Sequence, residues 1–236
     1  MAKLQSPVTS HESAGLATIA KAPPYYAVLF SSKRKWQQPG VDDGYGSKAD
    51  EIEARAKDAE GYLGIESVRD ENQDGMTVSY WEAPNHIRQW RADLQHRAAQ
   101  ALGKSQWYES YGVNVARVEV TYGSHAPGVI EKAPASEEGN QTGESPHGYV
   151  VIFSSLRQGS NPAYDTMMER LQSKGKTIRE GEVCIAFSTW TNHADIEAWK
   201  SNPEAAFVEK LGNIEGCRDW NVRIAKIERQ YSNPPL

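Results

Sequence analysis

The chain has 236 residues, of which 39% are hydrophobic and 24% charged, an ordinary balance for a globular protein. Its net charge of -5 excludes nucleic acid as the main partner, because phosphate backbones need a concentrated basic surface and the one tight basic cluster, Lys33-Arg34-Lys35, is too short to supply it. No run approaches the roughly 20 apolar residues of a membrane span, the N-terminus has no apolar signal core, and the two cysteines, Cys184 and Cys217, form neither a disulfide framework nor a metal-ligand spacing, so the expectation is a reduced, cytoplasmic protein with no membrane contact and no metal.

Residues 1–22 are polar and small, and are expected to be a loose segment. The continuous apolar run at 25–31 predicts a buried strand. Pro39, Gly40, Gly44 and Gly46 mark a loop within 33–47, and 48–60 reads as a charged helix stopped by Gly61 and Gly64. Strands are expected at 65–70 and 75–81, joined by the turn 72–75. Residues 84–102 read as a helix that breaks in the middle, where Asp93 can cap a restart. Val113, Val115, Val118 and Val120 alternate with polar residues as a last strand over 113–121. The Gly-, Pro- and Ser-rich stretch 123–146 reads as a linker.

The same order then returns. Residues 26–32 (YAVLFSS) match 149–155 (YVVIFSS) at an offset of 123, and the offset settles at 109 where Trp81 matches Trp190, Trp90 matches Trp199, and Ala116, Glu119 and Tyr122 match Ala225, Glu228 and Tyr231. The shift of 14 residues is expected to lie in 33–47, in a loop whose Trp36 and Tyr45 could form a lid. The second copy is more diverged, with a weak second strand near 176–180 and a helix restart at Asn202-Pro203.

The segments Gly61–Glu66, Ser79–Glu82, Trp90-Arg91, His96–Gln100, Trp107-Tyr108, Tyr111 and Val115–Glu119 resemble the antibiotic biosynthesis monooxygenase family over about 25–122. That resemblance implies ferredoxin-like β-α-β-β-α-β modules of the α+β class, whose sheets join in pairs into an α+β barrel. With both modules on one chain, it implies an intramolecular pseudo-dimer: a segment at 1–22, a first module at 23–122, a linker at 123–146 and a second module at 147–236.

In that family a tryptophan at the position of Trp81 and Trp190 lines the reaction pocket, although a tryptophan is as readily a core aromatic. Cofactor-free members carry an asparagine four residues earlier, where this chain has Thr77 and Ala186. Heme-degrading members carry a ligand histidine where it has Gln100 and Glu209. His96 is the titratable candidate left: a histidine near neutrality suits proton abstraction from a phenol or enol, the plainer alternative being a surface histidine. Trp107, Tyr108 and Tyr111 are candidates for one end of a pocket, Trp90 and Gln100 for its wall, and Arg91 for an acidic group on a ligand, or else for ordinary packing and solvated surface.

Two functions are compatible with these residues. One is a monooxygenase-like oxidoreductase acting on a small aromatic or polyketide-like molecule, with His96 and Trp81 catalytic, Trp90, Arg91, Gln100, Trp107, Tyr108 and Tyr111 binding substrate, and no bound metal, heme or flavin. The other is a non-catalytic binding or stress-response protein for a small hydrophobic ligand. Either could pair into a further homo-oligomer. Nucleotide and serine-hydrolase motifs are absent from the sequence.

Overall fold

The computed structural model describes residues 15–37, 41–124, 147–159, 161–172, 175–201 and 217–233. The first half runs β1 (Tyr25–Arg34), α1 (Tyr45–Lys57), β2 (Tyr62–Arg69), β3 (Asp74–Trp81), α2 (Pro84–Ala92), α3 (Leu94–Leu102), a π-helical turn (Gly103–Trp107) and β4 (Tyr108–Gly123). The second half runs β5 (Tyr149–Arg157), α4 (Pro162–Gln172), β6 (Lys176–Glu180), β7 (Val183–Trp190), α5 (His193–Ser201) and β8 (Cys217–Asn233). All the strands join one antiparallel sheet in the order β2-β3-β1-β4-β8-β5-β7-β6.

The long last strands make the central seam, with Val113 opposite Tyr231 and Val118 opposite Ala225. The sheet curls until its edges approach. The backbone N–H of Arg69 in β2 donates to Glu180 of β6 at 2.9 Å, and Lys176 reaches Asp74 at 2.8 Å. Period-two alternation sends Tyr25, Ala27 and Leu29 inward to meet Val150, Ile152, Ile185 and Ala225 from the second half in one apolar cluster. Tyr26, Val28 and Phe30 face the helices instead.

An ion pair lies within this apolar interior. Arg223 of β8 and Glu66 of β2 are each 1% exposed and meet at 3.2 Å. Arg223 also donates to the hydroxyls of Tyr25 (3.2 Å) and Tyr80 (2.9 Å) and to the carbonyl of Ala17 (3.0 Å). Glu66 accepts from Tyr80 (2.9 Å), from Ser154 of β5 (3.2 Å) and from the backbone N–H of Ala17 (3.0 Å). Burial works against the charged guanidinium, but Tyr80, Glu66 and Tyr25 outweigh it and hold Arg223 protonated.

Several boundaries differ from expectation. The loose segment 1–22 is corrected at its end: Ala17 and Ile19 are buried, and Ala17 touches both members of the ion pair. Gly61 has a positive φ of 72° where the chain leaves α1, but Gly64 sits inside β2, not at a helix stop. The extra length of the first half is spread out. The β1–α1 connection covers 35–44 against 158–161, α1 has 13 residues against 11, and β2 has 8 against 5. The helix does break at Asp93, whose carboxylate accepts from the N–H groups of Gln95 and His96. The restart expected at Asn202-Pro203, and nearly all of the stretch 123–146, lie outside the described residues.

Arg223→Met should cost about 3–5 kcal/mol in denaturant unfolding, because it strands a buried carboxylate, and Arg223→Met with Glu66→Gln should cost less than the single change. Equal stability of Arg223→Met and the parent protein would contradict this account of the interior.

Candidate functional site

The outward face of β1, β3 and β4 is the floor of a cavity of about 370 Å³ roofed by α1, α2 and α3. Helical spacing aims Tyr45, Ala49, Ile52 and Ala56 of α1 downward, and Val28, Phe30, Thr77, Trp81, Tyr111 and Val113 rise to meet them. All eight residues singled out in the sequence line this one cavity: Trp81, Trp90, Arg91, His96, Gln100, Trp107, Tyr108 and Tyr111.

At one end the aromatics form a ladder. The Tyr62 ring meets Trp81 edge-on at 5.7 Å, Trp81 lies over Trp90 at 5.9 Å, and Trp90 stacks on His96 at 4.6 Å with 17° between planes. Trp81 is fully buried, and its indole N–H donates to Ser79 at 3.0 Å. His96 is held from both sides. Its backbone N–H is capped by Asp93, whose other oxygen takes an ion pair from Arg55 of α1 at 2.8 Å. Its Nδ1 lies 3.0 Å from the carbonyl of Trp90, which can only accept, so Nδ1 carries the proton and Nε2 keeps its lone pair. Burial lowers the His96 pKa, with the Trp90 carbonyl and Asp93 offsetting only part, so the ring is neutral at pH 7. The Gln100 amide nitrogen stands 3.4 Å from Nε2, within reach to donate to it.

At the other end Tyr45, Trp107, Tyr108 and Tyr111 pack together. Tyr45 meets Trp107 at 5.4 Å and Tyr108 at 6.1 Å, and Tyr108 and Tyr111 both lie against Phe30. Arg69 donates to the Tyr45 hydroxyl at 3.1 Å, while Arg34, ion-paired to Asp43, covers the Tyr45 ring at 3.9 Å. Burial, then Tyr45, push the Tyr108 pKa up, which keeps its hydroxyl a donor. The π-helical turn brings Trp107 and Lys104 to the cavity, since a wider turn rotates the side chains beyond it relative to α-helical spacing. Trp36, expected beside Tyr45 as part of a lid, is 76% exposed and does not line the cavity.

Sequence reasoning missed Lys48, Ser67, Lys104 and the site role of Tyr231, which reaches across the seam from β8. Only Tyr231 left a trace, as the repeat partner of Tyr122. Thr77, four residues before Trp81, faces the cavity and shares a hydrogen bond with Ser67 at 2.9 Å. On the matching face of the second half, among the described residues, Tyr149, Val151, Phe153, Tyr164, Met168, Cys184, Ala186 and Ile196 pack into one buried cluster, with Trp190 against its edge. Trp190 keeps the Trp81 contact, donating to Ser188 at 2.9 Å. Ala205 and Glu209, the counterparts of His96 and Gln100, lie outside the described residues, as does the side chain of Trp199.

Over 97 residues the chain is 47% identical to the uncharacterized protein YqjZ of Bacillus subtilis (strain 168), a stretch that makes up 41% of this chain and 82% of YqjZ. The chain belongs to the same family as YqjZ. No protein-family profile matches it. Similar solved structures include aldoxime dehydratase (13% identical, TM-score 0.49, covering 89% of this chain and 84% of that one). Another is a candidate monooxygenase of Fusobacterium nucleatum (8% identical, TM-score 0.39, 90% and 96%). No helix among the described residues is long and apolar enough to cross a membrane.

Long-range nitrogen NMR should find His96 as the Nδ1–H tautomer, titrating below 6.5. A pKa lowered by folding contributes stability that is complete above the unfolded value near 6.5 and is lost as the pH falls toward the folded value, so His96→Gln should flatten the stability loss in that window. A His96 titrating above 6.5 would contradict the geometry.

Proposed function

We propose that the chain is a monooxygenase-like oxidoreductase acting on a small aromatic or polyketide-like molecule in the first-half cavity, without a bound metal or flavin. One observation carries the reading: a neutral imidazole, fixed in tautomer by the Trp90 carbonyl, lines a cavity walled by aromatic rings, and its Nε2 lone pair is met by the amide of Gln100, an exposed side chain that a ligand's acidic proton can displace. A ring system packs against Trp90 and Phe30, with Trp81 stacked behind Trp90. His96 Nε2 then takes the proton from its phenol, enol or acidic C–H, and the dry walls leave the resulting anion exposed to dioxygen. For a methylene flanked by aromatic rings, the methylene and one dioxygen become a ketone and one water. Both C–H bonds and the O–O bond break, a C=O bond and both O–H bonds of water form, and the substrate supplies every electron. In this reading the hydroxyls of Tyr108 and Tyr111, which line the cavity, donate to a carbonyl or phenolate oxygen of the ligand.

The chain architecture is part of the proposal. YqjZ, of which 97 residues are 82%, is about half as long as this chain. The two halves repeat one strand order on either side of the β4–β8 seam. Both support an intramolecular pseudo-dimer of ferredoxin-like modules, 23–122 and 147–236, in which the first keeps the site and the second serves as scaffold. The second reading, a non-catalytic binder of a small hydrophobic ligand, is favoured by Thr77, which gives no side-chain amide where the family's oxygenases have one.

Anthrone, with dioxygen uptake and anthraquinone formation followed together, separates the two. His96→Ala should lower turnover by about a hundredfold or more, and Trp81→Ala should lower turnover or binding far more than Trp190→Ala does. Each variant is compared at matched folded fraction, since truncating a buried tryptophan costs about 3–5 kcal/mol by itself. Equal losses at Trp81 and Trp190 would defeat the assignment. Tight binding with no dioxygen uptake would select the second reading.

A further inference from the structure

The charges around the cavity do not balance. Glu53, the carboxylate on its wall, is ion-paired to Lys57 at 2.9 Å, and Lys48 is paired to Glu51 within α1. Arg91 and Lys104 also line the cavity, and neither has a carboxylate within ion-pair distance among the described residues. Arg91 instead covers the Tyr231 ring at 5.6 Å. They stand at the two ends of α3, Arg91 in the last turn of α2 and Lys104 in the π-helical turn, both exposed at the rim while the floor is mostly apolar. His96 is neutral and adds no charge. A cavity that is apolar within and cationic at its mouth, on a chain of net charge -5, selects among ligands by sign.

We infer that the ligand is an anionic aromatic: a flat ring body with a carboxylate or similarly acidic group, read at the rim by Arg91 or Lys104, one cation at each end of α3. This rests on the cavity being the ligand site. The rings of Trp90 and Phe30 hold the body, backed by Trp81, and the acid group stays at the solvent-exposed mouth, where a charge-assisted hydrogen bond forms without desolvating the whole ion. Arg91 suits a planar carboxylate, because its guanidinium offers paired donors and is steadied by the Tyr231 face. The same two cations would turn away ammonium- or amidine-bearing molecules of equal shape.

Three near-isosteric probes test this by calorimetry on the full chain: 2-naphthoate, 2-naphthamide and 2-naphthamidine. The naphthoate should bind about tenfold more tightly than the amide, the amidine should bind most weakly, and at least one of Arg91→Gln and Lys104→Gln should remove most of the advantage. Both substitutions fall on exposed side chains, so the fold is kept. An amide as tight as the naphthoate, an amidine tighter than either, or an advantage untouched in both variants overturns the charge selection while leaving the cavity as an apolar ligand site. Should none of the three bind, the ligand site itself falls, and this inference with it.

Discussion

Two charges that water would otherwise hydrate are enclosed in the curled sheet, and every group around them is there to satisfy them. Arg223 and Glu66 come from opposite halves of the chain, and their partners come from β1, β3, β5 and the N-terminal segment. A buried pair of this kind adds little net stability over an apolar replacement of the same volume, and it is costly only when broken. What it does add here is selectivity among packings. A slip of one residue in β2 or β8 would turn one charge outward and leave the other stranded, so the pair fixes the register of both halves. The helix-covered faces, where the cavity lies, inherit their alignment from it.

With the register fixed, the two helix layers diverge in content. Positions at matched sheet addresses carry Phe30 and Phe153, Val113 and Val222, or Trp81 and Trp190, yet the helices over them carry different side chains. Tyr164 and Met168 of α4 are fully buried against the second-half floor. In the first layer Ala49, Ala56 and Ala99 take little volume under α1 and α3 and leave the cavity open between them and the sheet.

The sequence was informative wherever one local rule dominated. A continuous apolar run located β1 and apolar alternation located β4, and Asp93 foretold the helix break because capping is a local hydrogen bond. The eight candidate residues converged on one cavity because the aromatics and His96 sit at helix and strand positions whose periodicity puts them on one face. Interactions between distant residues left no local trace. Nothing near Glu66 or Arg223 announces a partner 157 residues away, and the burial of Ala17 and Ile19 depends on a site built by the rest of the fold. Lys104 was likewise hidden, by a π-helical turn that departs from helical spacing, and Tyr45, read as part of a glycine-rich loop, is the first residue of α1.

The claim that the hollow first layer is the working site has a direct measurement. A crystal of the full chain soaked with 4-bromophenol, a phenol whose bromine gives an anomalous signal, shows where an aromatic acid proton is held. The account predicts one strong peak between the sheet and α3, against Trp81 and Trp90, with the phenol oxygen within hydrogen-bond distance of His96 Nε2. A peak seated only beside Trp190, or a phenol oxygen turned away from His96, would contradict it.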